Sequence, residues 1–326
     1  MAAETLTAPE KLLLAAPRGY CAGVDRAVQT VERALELHGA PVYVRKEIVH
    51  NKHVVEQLRA RGAIFVDEET EVPESATVVF SAHGVAPRVH ANAAIRGLQT
   101  IDATCPLVTK VHVEAKKFAS EGYTIVLIGH AGHEEVEGTM GEAPEHIVLV
   151  ETEEDVAELA VADPERVAFI SQTTLSVDET RTIILRLREK FPSIVGPRTD
   201  DICYATTNRQ AAVKQLAQQC DLVLVIGSRN SSNSQRLVDV TRESGTESHL
   251  IDNEGGVREE WLERKRVVGI TSGASAPEEL VQRLVDFFRR RGTEDVAELE
   301  VVHEDVRFML PKPIRVAQAA RTVPRN

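Results

Sequence analysis

The chain has 326 residues, 43% of them hydrophobic and 27% charged, with a formal net charge of -12 at pH 7. That acidity argues against nucleic acid as a partner, because a phosphate backbone needs clustered Lys and Arg. The longest apolar runs are five or six residues, far short of the roughly 20 that a membrane span requires, so no membrane partner is expected. No basic segment followed by an apolar one opens the chain, and the expectation is a cytoplasmic protein. Four cysteines in such a chain point to metal binding or catalysis rather than to a disulfide framework.

Residues 1–10 are small and polar and read as a flexible leader. The run Leu12-Leu13-Leu14-Ala15-Ala16 is strand-like, and after it Val24, Ala27, Val28, Val31, Ala34 and Leu35 recur at helical spacing. Cys21 lies at this handover, with Gly19 and Gly23 allowing a tight turn. A thiol at a helix N-terminus feels the positive end of the dipole, which favours the thiolate. A lone cysteine is as readily a small core residue, but here the arrangement recurs.

Cys105 precedes Pro106, a residue suited to the first helical position, and Val108, Val111, Ala115 and Phe118 mark a helix face. Cys203 precedes a face carried by Ala212, Val213 and Leu216. The three cysteines stand 84 and then 98 residues apart, whereas Cys220 lies in a helix-to-strand passage and reads as core.

Short apolar runs at 42–44, 78–80, 125–128, 167–170, 222–226 and 267–270 alternate with amphipathic helical patterns. This is the signature of βαβ units with mostly parallel sheets and helices on both faces. Length alone suggests about two domains, but the strand-cysteine-helix theme suggests three similar α/β units. The Pro-punctuated, basic segment 311–326 reads as a C-terminal tail outside the core.

Ligands in open α/β sheets bind beyond the carboxyl ends of strands. The runs here end in His50-Asn51 (after Ile48-Val49), Ser81-Ala82-His83-Gly84, Gly129-His130-Ala131-Gly132-His133-Glu134-Glu135, Ser171-Gln172-Thr173-Thr174, the cluster 227–234 and the cluster 271–277. Some of these Ser, Thr and Asn residues are helix caps. Capping does not account for histidines at three of the ends, and loops dense in donors suit a phosphate group. No G-x-G-x-x-G or G-x-x-x-x-G-K-[ST] occurs, which disfavours a nicotinamide dehydrogenase or a P-loop nucleotide site. Three cysteines of this spacing can hold an iron–sulfur cluster, a zinc ion or nothing; the close pairs usual in zinc fingers are absent. A cluster with only three thiolates would leave one iron open to substrate as a Lewis acid.

Nine stretches together resemble the 4-hydroxy-3-methylbut-2-enyl diphosphate reductase (LytB/IspH) family. They include Pro-Arg-Gly-Tyr-Cys-Ala-Gly-Val-Asp-Arg-Ala, Asp-Ala-Thr-Cys-Pro-Leu-Val-Thr-Lys-Val-His, Ser-Gln-Thr-Thr-Leu-Ser-Val-Asp, Asp-Ile-Cys-Tyr-Ala-Thr-Thr-Asn-Arg-Gln, Gly-Ser-x-Asn-Ser-Ser-Asn-Ser and Thr-Ser-Gly-Ala-Ser-Ala-Pro, in the family's order from about residue 11 to 312. The resemblance implies three α/β units arranged pseudo-threefold around a central 4Fe-4S cluster held by Cys21, Cys105 and Cys203. Their expected bounds are 22–105, 106–200, and 11–21 with 201–310. It implies reductive removal of an allylic hydroxyl at the open iron, giving isopentenyl and dimethylallyl diphosphate, the last step of the non-mevalonate route. Ferredoxin or flavodoxin is the implied electron donor.

Matched position by position, His50, His83 and His133 line the diphosphate pocket, with Ser231, Ser232, Asn233 and Ser275 as further donors. Glu135 is the implied proton donor and Thr173 the hydroxyl beside the substrate alcohol. Taken alone, Glu135 is equally a helix-start carboxylate complementing the dipole. In a closed, partly dry pocket, such an acid holds its proton more readily. Two positions depart from the family: Glu134 replaces the usual Pro, and Tyr20 the commoner Phe. The alternative reactions are a lyase using the open iron only as a Lewis acid, and a non-catalytic phosphate-binding scaffold with structural zinc.

Overall fold

In the computed structural model, which describes residues 8–322, the run after the leader forms strand β1 (Lys11–Ala16). Then follow α1 (Ala22–His38), β2 (Val42–Arg45), α2 (Lys52–Ala60), β3 (Ala63–Val66), β4 (Thr77–Phe80), α3 (Pro87–Ile95), β5 (Gln99–Asp102) and α4 (Pro106–Ser120). The middle of the chain contains β6 (Thr124–Ile128), α5 (Glu134–Met140), β7 (Ile147–Val150), α6 (Glu153–Glu158), β8 (Val167–Ser171) and α7 (Val177–Lys190). The last third contains α8 (Tyr204–Ala217), β9 (Leu222–Ile226), α9 (Ser232–Glu243), β10 (Glu247–Ile251), α10 (Glu259–Leu262), β11 (Val267–Ser272), α11 (Glu278–Arg289), β12 (Asp295–Glu300) and α12 (Lys312–Thr322).

These strands make three sheets, ordered β10-β9-β11-β1-β12, β3-β2-β4-β5 and β7-β6-β8. Every pairing between the described strands is parallel, as the alternation of strand and helix predicts. By packing density the described chain forms two compact units, one of residues 8–21, 50–54 and 204–306 and one of 22–49, 55–203 and 307–322. The first contains the five-stranded sheet and the second the other two.

Strand alternation explains why the five-stranded sheet needs helices on both faces. Leu12 and Leu14 pack with Leu224, Ile270, Leu284 and Phe288 on one side. Leu13 and Ala15 pack with Val223, Val225, Val213 and Leu237 on the other. In the three-stranded sheet, Val126 and Ile128 face Ile183 and Leu187 of α7, while Ile125 and Leu127 face Val111 and Ala115 of α4. Each such fully buried aliphatic side chain contributes about 1.5–3 kcal/mol of transfer free energy.

Several local expectations differ from the fold. Cys105 follows a strand, the edge strand β5, but no strand among the described residues directly precedes Cys203. There, Val195 makes a single bridge to Ala168. His50 is not at a strand end, because β2 stops at Arg45 and Ile48-Val49 are buried loop residues. At the leader, Pro9 accepts a hydrogen bond from Thr293 Oγ1 (2.8 Å) and Glu10 pairs with Arg266; residues 1–7 lie outside the described residues. Within 311–326, α12 buries Ile314 completely and packs against α1, where Arg321 donates to the carbonyls of Glu36 and Leu37. Residues 323–326 lie outside the described residues.

Candidate active site

In the first unit, the chain leaves β1 through residues 17–21, where Gly19 adopts φ +72°, a conformation other residues avoid. Its N–H donates to Ser272 Oγ (2.8 Å), and its carbonyl accepts from Nη2 of Arg209 (2.8 Å). Arg209 is fully buried and ion-paired with Glu304 at 3.1 Å. Cys21 N–H then donates to the carbonyl of Ala274 (3.1 Å), so the cysteine is tied to the loop after β11.

That loop joins a polar cluster. Ala274 N–H donates to Asn233 Oδ1 (2.9 Å), and Asn233 Nδ2 donates to Thr206 Oγ1 (3.3 Å). Ser231 caps α9 by accepting from Ser234 N–H (3.3 Å), and Ser232 is the first residue of that helix. Ser275 Oγ donates to the His50 carbonyl (2.9 Å) and lies 3.5 Å from Ser231 Oγ, while Asn230 Nδ2 lies 3.3 Å from His50 Nδ1. His50, Ser231, Asn233 and Ser275 are all buried, and their satisfied polar atoms fix where the cluster's donors point.

Two glycines allow this cluster to close. A Cβ at Gly227 would stand 2.2 Å from Oγ and 2.5 Å from Cβ of Ser234, and one at Gly273 would stand 2.0 Å from that Oγ. Rotating Ser234 can move its Oγ but not its Cβ, so Gly227→Ala forces α9 away from β9. The expected cost is about 1–3 kcal/mol of stability, read as a lowered midpoint of thermal unfolding; an unchanged midpoint would show that α9 yields freely.

In the second unit, a continuous run of contacts joins two cysteines to the acid. Cys203 N–H donates to the Thr173 carbonyl (3.0 Å). Thr173 in turn donates to Glu135 twice, from its N–H to Oε1 (2.6 Å) and from Oγ1 to Oε2 (3.0 Å). Glu135 N–H donates to Nδ1 of His133, which caps α5 (3.1 Å). The His133 ring stands edge to face with His83, centroids 5.9 Å apart, and His83 Nδ1 lies 3.1 Å from Glu134 Oε2. Next to His83, the Ala82 carbonyl accepts from Cys105 N–H (2.9 Å).

Glu135 and Thr173 are buried. Burial disfavours the carboxylate form of Glu135, while the two Thr173 donors favour it, so the environment pulls its proton both ways. Glu134 fills the space where the family's proline would be, and it adds a carboxylate beside His83. Gly84, at φ +83°, lets the next turn of this loop lie flat on α4; a Cβ there would stand 2.9 Å from Cε1 of His112. Burial pushes the His112 imidazole below its ordinary value despite the carboxylate of Glu142 at 2.8 Å.

The cysteine loops of this unit are braced by residues whose roles were not apparent from sequence. Arg26 Nη1 grips the carbonyls of Ala103 and Thr104 (2.9 and 3.0 Å), just before Cys105. Lys110 Nζ donates to the carbonyls of Thr199 and Asp200 and to Asp201 Oδ1 (2.6, 3.1 and 3.0 Å), holding the approach to Cys203. Beside it, burial and the neighbouring Asp201 push the Glu114 carboxyl up to about 7. Lys110 and Arg209 both lie inside the motifs around Cys105 and Cys203, and motif membership was the only available signal for either.

Cys21, Cys105 and Cys203 are free, half-buried thiols, each immediately before a helix and each with its backbone N–H engaged by a loop beyond a strand. A pinned backbone with an accessible sulfur suits a soft metal centre such as an iron–sulfur cluster. Cys220 differs, since burial and the adjacent Asp221 push its thiol up to about 12 and keep it neutral. The donor set therefore fits a group bound by three thiolates.

Parallel α/β sheets, thiols at helix starts and a buried acid bonded to a hydroxyl beyond the strand ends define a small-molecule enzyme of the α/β class. The LytB protein family model matches residues 12–289, and the chain belongs to that family. A 4-hydroxy-3-methylbut-2-enyl diphosphate reductase of Nocardia farcinica is 60% identical over 310 residues, 95% of this chain and 92% of that protein. One of Cutibacterium acnes is 61% identical over 307 residues, 94% and 95% of the two chains. The solved structure of the E-1-hydroxy-2-methyl-but-2-enyl-4-diphosphate reductase from Plasmodium falciparum matches with a TM-score of 0.93 at 37% identity, covering 96% of this chain and 99% of that one.

Proposed function

We propose that this chain is an oxidoreductase that converts 4-hydroxy-3-methylbut-2-enyl diphosphate into isopentenyl and dimethylallyl diphosphate, closing the non-mevalonate isoprenoid route. The observation that carries this reading is the buried Glu135–Thr173 pair, tied through Thr173 to Cys203. The balance is an allylic alcohol, two electrons and two protons going to an alkene and water. Cys21, Cys105 and Cys203 would hold a 4Fe-4S cluster, which when bound supplies single electrons and a Lewis-acidic corner.

The chain's own residues handle the protons and the anion. Hydroxide leaves carbon slowly unless its oxygen gains a proton. Protonated on Oε2, Glu135 can pass that proton to Thr173 Oγ1 while the threonine hydroxyl gives its own to the substrate oxygen. The diphosphate falls to His50, Ser231, Ser232, Asn233 and Ser275 of one unit and His83 and His133 of the other, an assignment that rests on the family pattern. Imidazoles, amides and hydroxyls bind phosphate as directional donors. The expected three-unit division belongs to the same reading, with Cys21 and Cys105 at its boundaries. Ferredoxin or flavodoxin would deliver the electrons, and the cytoplasm is the expected compartment. No described helix is long and apolar enough to cross a membrane.

Anaerobic incubation of the iron-loaded protein with the substrate and a chemical reductant tests the reaction. Both isoprenoid diphosphates should form only when the reductant is present. Turnover without it would point instead to a lyase using Lewis acidity alone, and no turnover at all would remove the assignment.

A further inference from the structure

His83 and His133 share one wall of the second unit, yet their Nδ1 atoms meet opposite kinds of partner. Nδ1 of His133 accepts the Glu135 N–H at 3.1 Å, so a neutral His133 carries its proton on Nε2 and can donate there. Nδ1 of His83 lies 3.1 Å from Oε2 of Glu134. An ionised carboxylate only accepts, so His83 must carry a proton on Nδ1, and when neutral its Nε2 is a lone pair.

We propose that Glu134 is a positioning residue that couples diphosphate binding in this chain to the uptake of a proton by His83. This rests on the diphosphate reading above. Fully ionised phosphate oxygens offer only lone pairs, which a neutral His83 held in this tautomer meets with another. The ring can donate through Nε2 only as imidazolium, with Glu134 balancing its second N–H. Where the family carries proline, no carboxylate holds Nδ1, and a neutral ring is free to place its proton on Nε2. The titratable groups packed about His83 in its unit are Glu134 and His133 at the start of α5, and His112 with Glu142 behind the adjacent Gly84.

Proline is compatible with position 134. Glu134 is the first residue of α5, and His133 before it is extended (φ -77°, ψ 134°), the conformation that a following proline requires. Glu134→Pro therefore tests the idea, with Glu134→Ala as a second variant that imposes no φ restriction. The oxidised, iron-loaded proteins are titrated calorimetrically with 4-hydroxy-3-methylbut-2-enyl diphosphate, without reductant. The titrations are run at pH 8.5, above the ordinary histidine range, in two buffers of different ionisation heat.

The wild type should take up about one proton per ligand more than either variant. Its Kd should also rise with pH more steeply, by up to about tenfold per unit. Equal proton counts in all three proteins would overturn the proposal, even if the variants bind more tightly through loss of a negative charge. Absence of binding in all three would overturn it together with the diphosphate pocket. Binding with the expected proton difference but no turnover on adding reductant would sustain it and remove only the reaction.

Discussion

Glu135→Gln lowers kcat by about 10²–10⁴-fold, the usual worth of a positioned general acid, while KM for the diphosphate substrate changes little. The substitution keeps the size of the side chain and an oxygen that can accept from Thr173, so the loop and Cys203 behind it stay in place. Only the transferable proton is lost, and an interaction made only in the transition state appears in kcat. Steady-state rates under anaerobic conditions with saturating reductant check this, with iron content measured in parallel. An unchanged kcat would show that the proton reaches the substrate oxygen by another path. Thr173→Val should fall in the same direction, since it removes the hydroxyl that links Glu135 Oε2 to the substrate (Oγ1 to Oε2, 3.0 Å).

Cys105→Ala abolishes activity and prevents stable cluster assembly, whereas Cys220→Ala does neither. The contrast follows from the environments of the two sulfurs. Cys105 is half-buried at the N-cap of α4, with its N–H held by Ala82 and the preceding carbonyls held by Arg26. Cys220 is pushed up to about 12 by burial, and its sulfur lies against β11, 2.9 Å from where a Cβ of Gly269 would be. Its removal costs packing of about 1 kcal/mol. Iron and acid-labile sulfide per chain after anaerobic reconstitution distinguish the two. Retention of a full cluster by Cys105→Ala would remove that thiol from the ligand set.

The α/β class was legible because six internal strands, together with the first, announce themselves as short apolar runs between helical patterns. The five that did not are β3, β5, β7, β10 and β12. β5 and β12, with sequences Gln-Thr-Ile-Asp and Asp-Val-Ala-Glu-Leu-Glu, are largely exposed edge strands. Hydrogen bonds to a neighbour, rather than residue propensity, make such segments strands. Likewise α12 is a helix because Ile314 finds a buried place and α1 offers its last carbonyls to Arg321; neither partner is near in sequence.

The candidate site was legible to a similar degree. Motifs marked the cysteines, the histidines, Glu135, Thr173 and the Ser/Asn clusters, because each stands where a strand or loop gives way to a helix. They did not reveal that Thr173 bonds Glu135 through both its N–H and its hydroxyl, or that Lys110 and Arg209 brace cysteine loops. They marked Glu134 as a departure without showing that it bonds His83. Hydrogen bonds between residues 38, 51, 91 and 190 positions apart leave no trace in local pattern.

By itself, then, the order of residues determined which segments become strands and helices wherever apolar periodicity was strong, and it placed each thiol at the start of a helix. Tertiary structure decided the rest: that β1, from the start of the chain, lies between β11 and β12 from its end, and which buried donor meets which acceptor. The physical reason is range. Periodicity and capping act over a turn or two of chain, whereas sheet order and buried hydrogen bonds are chosen by which surfaces exclude water together.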